Sequence, residues 1–370
     1  MTVPIPLVDL KWQHDQVKAE LLPELVRIMD SGQFILGPAG DSFEKELAAF
    51  VGCQHAIGVS NGTDALELAL RCAGLPSGCS VIVPAYTFIA TIAATIRAGF
   101  VPVLVDVAEP HLMLSPTTVE RAITPAVKAI VAVDLFGQMA PMGELRALAA
   151  AYGLVLLEDA AQAHGATHYG GPVARYSVAA ATSFYPGKNL GAYGDAGAVL
   201  TDDPEVASVA KSLRDHGARG KYRHEYLGFN TRLDEIQAAV LAVKLRHLSG
   251  WNRLREVAAC RYARLFCGVE GVVLPSAAPG NRHTWHLYVV RVSKRDVVSD
   301  RLLRRGVGAG AHYPTPPHLQ PALKFLGHHE GSFPVAEHAA SEVLTLPLFP
   351  GITPRQQRRV LHELVAAMGE

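Results

Sequence analysis

One lysine in this chain is fenced by glycine and proline: Ser183-Phe184-Tyr185-Pro186-Gly187-Lys188-Asn189-Leu190-Gly191. It follows a serine by five residues and lies just beyond a strand-like apolar run, Val178 to Thr182. A lysine in a rigid turn at a strand exit is a poor solvating charge. It is a good amine for one fixed target, and the chemistry that wants such an amine is Schiff-base formation with a carbonyl, above all with pyridoxal phosphate (PLP). By itself the residue also fits an ordinary exposed loop. Its companions decide between the two.

Ser60-Asn61-Gly62-Thr63-Asp64-Ala65-Leu66 sits between a strand-like and a helix-like stretch. Gly62 permits close backbone approach, Thr63 opens the helix with a hydroxyl, and a helix N-terminus offers free N–H groups to a phosphate. Plain N-capping is the competing account. Leu156-Leu157-Glu158-Asp159-Ala160-Ala161-Gln162 ends a buried strand on an acid. Ligands bind at the carboxyl ends of such strands, and a carboxylate there can keep a pyridine nitrogen protonated. Asp159 also fits as the N-cap of a following helix, with Gln162 completing a capping box. Pro84-Ala85-Tyr86-Thr87-Phe88 offers two aromatics at another strand exit, for stacking on a flat cofactor or for core packing. In Gly228-Phe229-Asn230-Thr231-Arg232-Leu233-Asp234, Asn230 and Arg232 could bind an anion, or Asp234 could cap the long helix that follows beside a solvated arginine. His164 and His168 are spaced i, i+4, but Gly165 argues against a helix there and no zinc-type motif accompanies them, so no metal is expected. No GxSxG elbow occurs, which argues against a serine hydrolase.

The elements that must hold these residues alternate. Strands are expected at 55–60, 81–84, 101–107, 128–133, 154–158, 178–183 and 196–201, with helices at 13–30, 63–73, 87–98 and 141–152. That alternation predicts an α/β fold with a mostly parallel sheet covered on both faces. Residues 203–216 and 233–268 read as largely helical; beyond about 270 come a short strand (286–292), a helix (295–305) and Pro-rich connections. The expected organisation is a large domain over 1–250 and a smaller α+β domain over 251–370. With 370 residues, 49% hydrophobic and 18% charged, the chain has the composition of a globular protein. Lys+Arg and Asp+Glu are both 34, without a long basic run, so no nucleic-acid partner is expected. Apolar stretches such as 80–105 are broken by Pro84, Arg97, Gly99 and Pro102, the N-terminus lacks a signal-peptide pattern, and five scattered cysteines form no CxxC pair. These features predict no membrane association and a reduced, cytoplasmic setting.

The ordered set of motifs resembles the DegT/DnrJ/EryC1/StrS family of sugar aminotransferases. The similarity includes Gly37-Pro38 with Phe43-Glu44, Ser60 to Leu66, Pro84 to Thr91, Glu158 to Gly165, Ser183 to Gly197, Asn230 to Ala239, His312-Tyr313-Pro314 and Leu346-Pro347. It implies a PLP-dependent fold type I enzyme (aspartate aminotransferase-like) that works as a homodimer with shared active sites. By the same resemblance Lys188 forms the Schiff base and shuttles the proton, Asp159 pairs with the pyridine nitrogen, Gln162 meets the ring hydroxyl and Phe88 stacks on the ring. Gly62, Thr63 and Ser183 hold the phosphate, joined by Asn230 of a second subunit. Glutamate is the implied amino donor and a nucleotide-linked ketosugar the acceptor, with His312 and Tyr313, and Tyr222 and His224 from the second subunit, as sugar or nucleotide contacts. The stretch 228–239 followed by Val243-Lys244-Leu245 looks more like members that aminate C3 of a dTDP- or UDP-sugar than those that aminate C4. A PLP-dependent sugar dehydratase is the less favoured reading, since those relatives replace the lysine with histidine. So is a non-catalytic regulatory homologue, because the cofactor set is complete. Two positions depart from the family pattern: Ala196 stands where glycine is usual, and Asp134 where histidine is common. Asp134 is expected to face the cleft and alter the substrate.

Overall fold

The structure is a computed structural model, and it describes residues 3–369. Seven strands form the central sheet: β1 (His55–Val59), β2 (Ser80–Pro84), β3 (Val101–Val105), β4 (Val127–Val133), β5 (Val155–Asp159), β6 (Ala179–Ser183) and β7 (Gly197–Thr201). Their order across the sheet is β1-β7-β6-β5-β4-β2-β3. The pairs β3–β2, β2–β4, β4–β5 and β5–β6 are parallel, and only β7 runs against its neighbours. A parallel sheet covered on both faces needs strands apolar on both faces. Val81-Ile82-Val83 and Ala129 to Ala132 meet this need with no exposure at all. Each buried valine or isoleucine contributes roughly 1.5–3 kcal/mol.

Helices α1 (Leu10–Ser31), α2 (Pro38–Val51), α3 (Gly62–Cys72), α4 (Ala90–Arg97), α5 (Pro116–Ala122), α6 (Met142–Tyr152), α7 (Pro204–Arg214) and α8 (Glu235–Leu265) surround the sheet. Side-chain caps set several starts: Asp9 accepts from the Trp12 N–H, Asn61 from Asp64 N–H, and Ser115 from Thr118 N–H. The cap of α2 is tertiary. Glu235, the first residue of α8, accepts from the backbone N–H groups of Gly37 (3.0 Å), Ala39 (2.8 Å) and Gly40 (2.9 Å). Asp234 stands at the N-cap position of α8, but its side chain makes no cap bond, and Arg232 is not a solvated partner; it pairs with Asp215 at 2.9 Å.

Helix α8 runs unbroken through residue 250. Its first half packs on α1 and α2. Its later residues Ala258, Ala259 and Tyr262 enter a second hydrophobic core. That core is built on β8 (Val272–Val273), β9 (Tyr288–Val292) and β10 (Val343–Leu346), with α9 (Arg295–Arg304) and α11 (Pro354–Gly369) packed against each other and α10 (Pro334–Glu342) against β9. Most expected elements occur within a few residues of their predicted ends. The helix expected at 87–98 starts later, at Ala90, because 84–88 form an irregular strand exit. Helices α2, α5, α10 and α11 had no expected counterpart, and each begins at a proline. Proline at the first helical turn starts a helix, where an interior proline would break one.

Candidate active site

The carboxyl ends of β5 and β6 and the N-terminus of α3 open onto one cleft of about 680 Å³. Gly62, Thr63, Phe88, Asp159, Gln162, Ser183, Lys188, His312 and Tyr313 all line it. Nine residues singled out from sequence, spread over 250 positions, therefore meet in one place. Asn230, Tyr222 and His224 do not line this cleft. They lie on an exposed segment before α8, which folds back through a bridge between Asp215 and Asn230.

Lys188 closes a turn whose shape is strongly determined. Its own N–H bonds to the Tyr185 carbonyl at 2.8 Å. Gly191 is required at its position, since a Cβ there would stand 2.3 Å from the Pro186 carbonyl oxygen. Lys244 of α8 is buried and donates to the Gly191 carbonyl at 2.6 Å. Burial pulls the Lys188 amine down from the usual lysine range to about 8, with Asp159 opposing that shift. No carboxylate lies within 4.0 Å of its nitrogen among the described residues. An amine so placed is ready to be neutral and nucleophilic near physiological pH.

Asp159 is not a helix cap, because turns rather than a helix follow it. Its Oδ2 accepts from Thr91 Oγ1 at 2.8 Å and its Oδ1 from the Ala161 N–H at 3.3 Å. Burial raises its pKa, while Thr91 and Ala161 pull it back. Gln162 completes no capping box either. Its Oε1 accepts from the Phe136 N–H at 2.8 Å, and its Nε2 donates to Tyr313 Oη at 3.0 Å. Of the two aromatics at the β2 exit, Tyr86 is core: its hydroxyl donates to the His312 carbonyl and accepts from the Tyr313 N–H, both at 2.8 Å. Phe88 is half exposed in the cleft, its ring centroid 5.4 Å from that of Tyr313.

The floor under α3 is a polar lattice. Ser60, Asn61 and Thr231 all donate to Asp64 Oδ2, at 2.8, 3.0 and 2.8 Å. Gly62 has no room for a side chain: a Cβ would fall 2.5 Å from Ser183 Cβ. Backbone N–H groups thus face the cleft at a site where a phosphate fits. The amine, the carboxylate, the glycine-led helix start and a cleft-facing phenylalanine together fit PLP.

Asp134 corrects an expectation. It does not line the cleft; it is fully buried. The register that pairs Ala132 with Glu158 and Val133 with Asp159 puts Asp134 and Glu158 on one face of the sheet and Asp159 on the other. Asp134 Oδ1 accepts from the Ala140 N–H at 2.9 Å. Glu158 Oε2 accepts from Ala174 N–H and Ser177 Oγ. Asp134 Oδ2 and Glu158 Oε1 meet no donor among the described residues. Burial, followed by the Glu158 charge, drives the Asp134 pKa well up. His164 and His168 also have separate partners, Thr182 Oγ1 and Glu144.

Sequence reasoning passed over Thr91, Arg97, Asp195 and His286. Thr87, Thr91 and Thr95 recur at helical spacing, a signal for a polar stripe. Arg97 lines the cleft while paired to Asp64 (3.1 Å) and Glu67 (2.8 Å). His286 comes from a distant strand entry and carries no local signal.

The sequence profile of the DegT/DnrJ/EryC1/StrS aminotransferase family matches residues 15–365. The chain is 46% identical to the dTDP-3-amino-3,4,6-trideoxy-alpha-D-glucose transaminase of Streptomyces venezuelae, over 96% of this chain and 94% of that protein. The crystal structure of S. venezuelae DesV in complex with a ketimine intermediate superposes with a TM-score of 0.97 at 45% identity, covering all of both chains. NtdA from Bacillus subtilis, solved with bound cofactor PMP, superposes with a TM-score of 0.92 at 31% identity, over 100% of this chain and 86% of that one.

Proposed function

The chain belongs to the DegT/DnrJ/EryC1/StrS aminotransferase family, and on that premise we propose that it moves an amino group from glutamate to C3 of a nucleotide-linked ketosugar in deoxyaminosugar biosynthesis. Its cofactor is PLP. The observation that carries this reading is the meeting of Lys188, Asp159 and the Gly62–Thr63 helix start in one cleft. C3 is favoured over C4 because the S. venezuelae relative is named for a 3-amino sugar.

When bound, PLP supplies an electron sink for the carbon that gains or loses the amino group. Lys188 Nζ would hold the cofactor at its carbonyl and is the group placed to take up and release a proton in the cleft. Asp159, oriented by Thr91, would hold the pyridine nitrogen in its protonated form. Gln162, tied at Phe136, would hold the ring hydroxyl, and Phe88 would pack against the ring. Gly62 and Thr63 N–H groups and Ser183 Oγ would hold the phosphate. His312 and Tyr313, set by the Tyr86 hydroxyl, contact the sugar.

The active form is a homodimer on this reading. Asn230, Tyr222 and His224 lie outside their own chain's cleft on an exposed segment, which supports their serving the cleft of a second copy. Phe34, Ile35, Leu36, Tyr193 and Ile236 are exposed apolar residues suited to that contact. Residues 1–250 then form the cofactor domain and 251–370 the small domain. A cytoplasmic location fits five cysteines with no disulfide among the described residues, and no helix among them is long and apolar enough to cross a membrane.

The test is direct. Purified protein with PLP should be yellow, and glutamate should bleach it. Offered dTDP- and UDP-linked 3-keto and 4-keto sugars, the aminated enzyme should turn over the 3-keto set. Absence of PLP binding at saturation would overturn the enzyme assignment, and turnover confined to 4-keto sugars would overturn the C3 assignment.

A further inference from the structure

Behind the Lys188 turn runs a chain of hydrogen bonds with one consistent set of donors. Asn252 Nδ2 donates to the His164 carbonyl at 2.8 Å, which leaves Asn252 Oδ1 as an acceptor. That oxygen receives Asn189 Nδ2 at 2.9 Å. Asn189 Nδ2 also donates to the Thr284 carbonyl at 3.0 Å, and a carbonyl cannot donate in return. The Asn189 amide is therefore fixed, with Oδ1 toward His286 Nδ1 at 3.2 Å. Only an N–H on Nδ1 satisfies that contact, so the neutral ring is the Nδ1–H tautomer and Nε2 carries the lone pair. No hydrogen bond among the described residues reaches Nε2. It is not sealed in the core as His164 Nδ1 is, and His286 lines the same cleft as Lys188.

We infer that His286 is a positioning residue for Lys188: its Nε2 is held toward the cleft to accept a hydrogen bond from the lysine amine when that amine is free and protonated. The lock is built into the lysine's own turn, since Asn189 follows Lys188 in sequence. Arg255 steadies the other side by donating to the carbonyls of Trp285 and His286, both at 3.3 Å. The titratable groups facing the lysine are Asp159, His164, His286 and His312. Burial holds His164 near 3, His312 near 4 and His286 well below the usual histidine range, so all three are neutral at working pH. Asp159 is already engaged by Thr91 and Ala161. An ammonium needs acceptors, and His286 offers a ring nitrogen with no hydrogen-bond partner among the described residues, in the same cleft.

The inference rests on Lys188 as the reacting amine, and its test reads the protein without turnover. Nitrogen-15 spectra of the full chain without cofactor should show His286 as Nδ1–H, with no titration above pH 6; the resonance is assigned by its loss in His286→Gln. The pH midpoint for reductive methylation of Lys188, followed by peptide mass spectrometry, should lie near 8 in wild type. In His286→Phe it should fall by about one unit, a tenfold change in proton affinity. In His286→Gln, whose side-chain oxygen can reach the Nε2 position, it should return toward wild type. With cofactor and substrate, the phenylalanine variant should lose kcat with KM unchanged. An Nε2–H tautomer, or an unshifted midpoint in a phenylalanine variant that melts like wild type, would overturn the inference. Failure of PLP to bind would instead sink the enzyme assignment and leave the tautomer result standing.

Discussion

Lys188 shows how much one side chain owes to its surroundings. Its amine sits near 8 because burial penalises the ammonium more than Asp159 rewards it. Removing that reward has a defined sign. Asp159→Asn should push the lysine midpoint further below 8, seen as PLP capture (yellow absorbance) persisting to lower pH. The same change should cut kcat by roughly 100-fold, as loss of a preorganised electrostatic partner does. Gly62→Ala should weaken PLP binding and cost about 1–3 kcal/mol in urea unfolding, because the new methyl meets Ser183. Asp134 gives a pH prediction of the opposite sign. Its folded pKa is raised, so the folded state keeps a proton that the unfolded chain gives up above about pH 4. Stability from this site is present at low pH and is lost as pH rises toward the folded value. Asp134→Asn cannot ionise, and its amide can still accept from Ala140 and donate to Glu158. The variant should therefore gain stability over wild type between pH 5 and pH 8, by about 1 kcal/mol or more. A gap that shrinks with pH would refute the raised Asp134 pKa.

At the scale of elements, α8 has a second task beyond covering the sheet. Lys244 braces the Lys188 turn at Gly191, and its nitrogen sits 4.3 Å from the Tyr193 ring centroid. Lys244→Met keeps the bulk and leaves the Gly191 carbonyl unpaired, at a cost of about 1–3 kcal/mol. Thermal melting should report that loss, and steady-state kinetics should show kcat falling more than KM rises. Glu235, at the start of the same helix, shows what local sequence hides. It reads as an ordinary first-turn acid, yet it caps α2 from almost two hundred residues away. Helix α2 accordingly had no legible start signal beyond Pro38. The strands were legible because apolar runs are long and bounded by Gly and Pro. Their order was not, since alternation predicts a parallel sheet without saying that β7 inserts antiparallel between β1 and β6.

For the whole molecule, the main fact is that Asn230, Tyr222 and His224 stand outside the cleft lined by the other predicted residues. A Lys188→Ala chain mixed with an Asn230→Ala chain should regain about a quarter of wild-type activity per site, by random pairing of chains, if Asn230 serves the other subunit's phosphate. No recovery despite demonstrated subunit exchange would place Asn230 outside the site. The sequence by itself determined the chemistry through company: a caged lysine, an acid ending a buried strand and a glycine before a helix each have a plain structural account alone, but their ordered occurrence in one chain does not. Only the tertiary structure decided which side of the sheet each neighbour serves. Glu158 and Asp159 are adjacent in sequence, but the strand's two-residue period sends Asp159 to the cleft and Glu158 to the opposite face, which it shares with buried Asp134. His286 likewise reaches the cleft from a distant strand, and its hydrogen bond to Asn189, 97 positions away, leaves no local trace in the sequence.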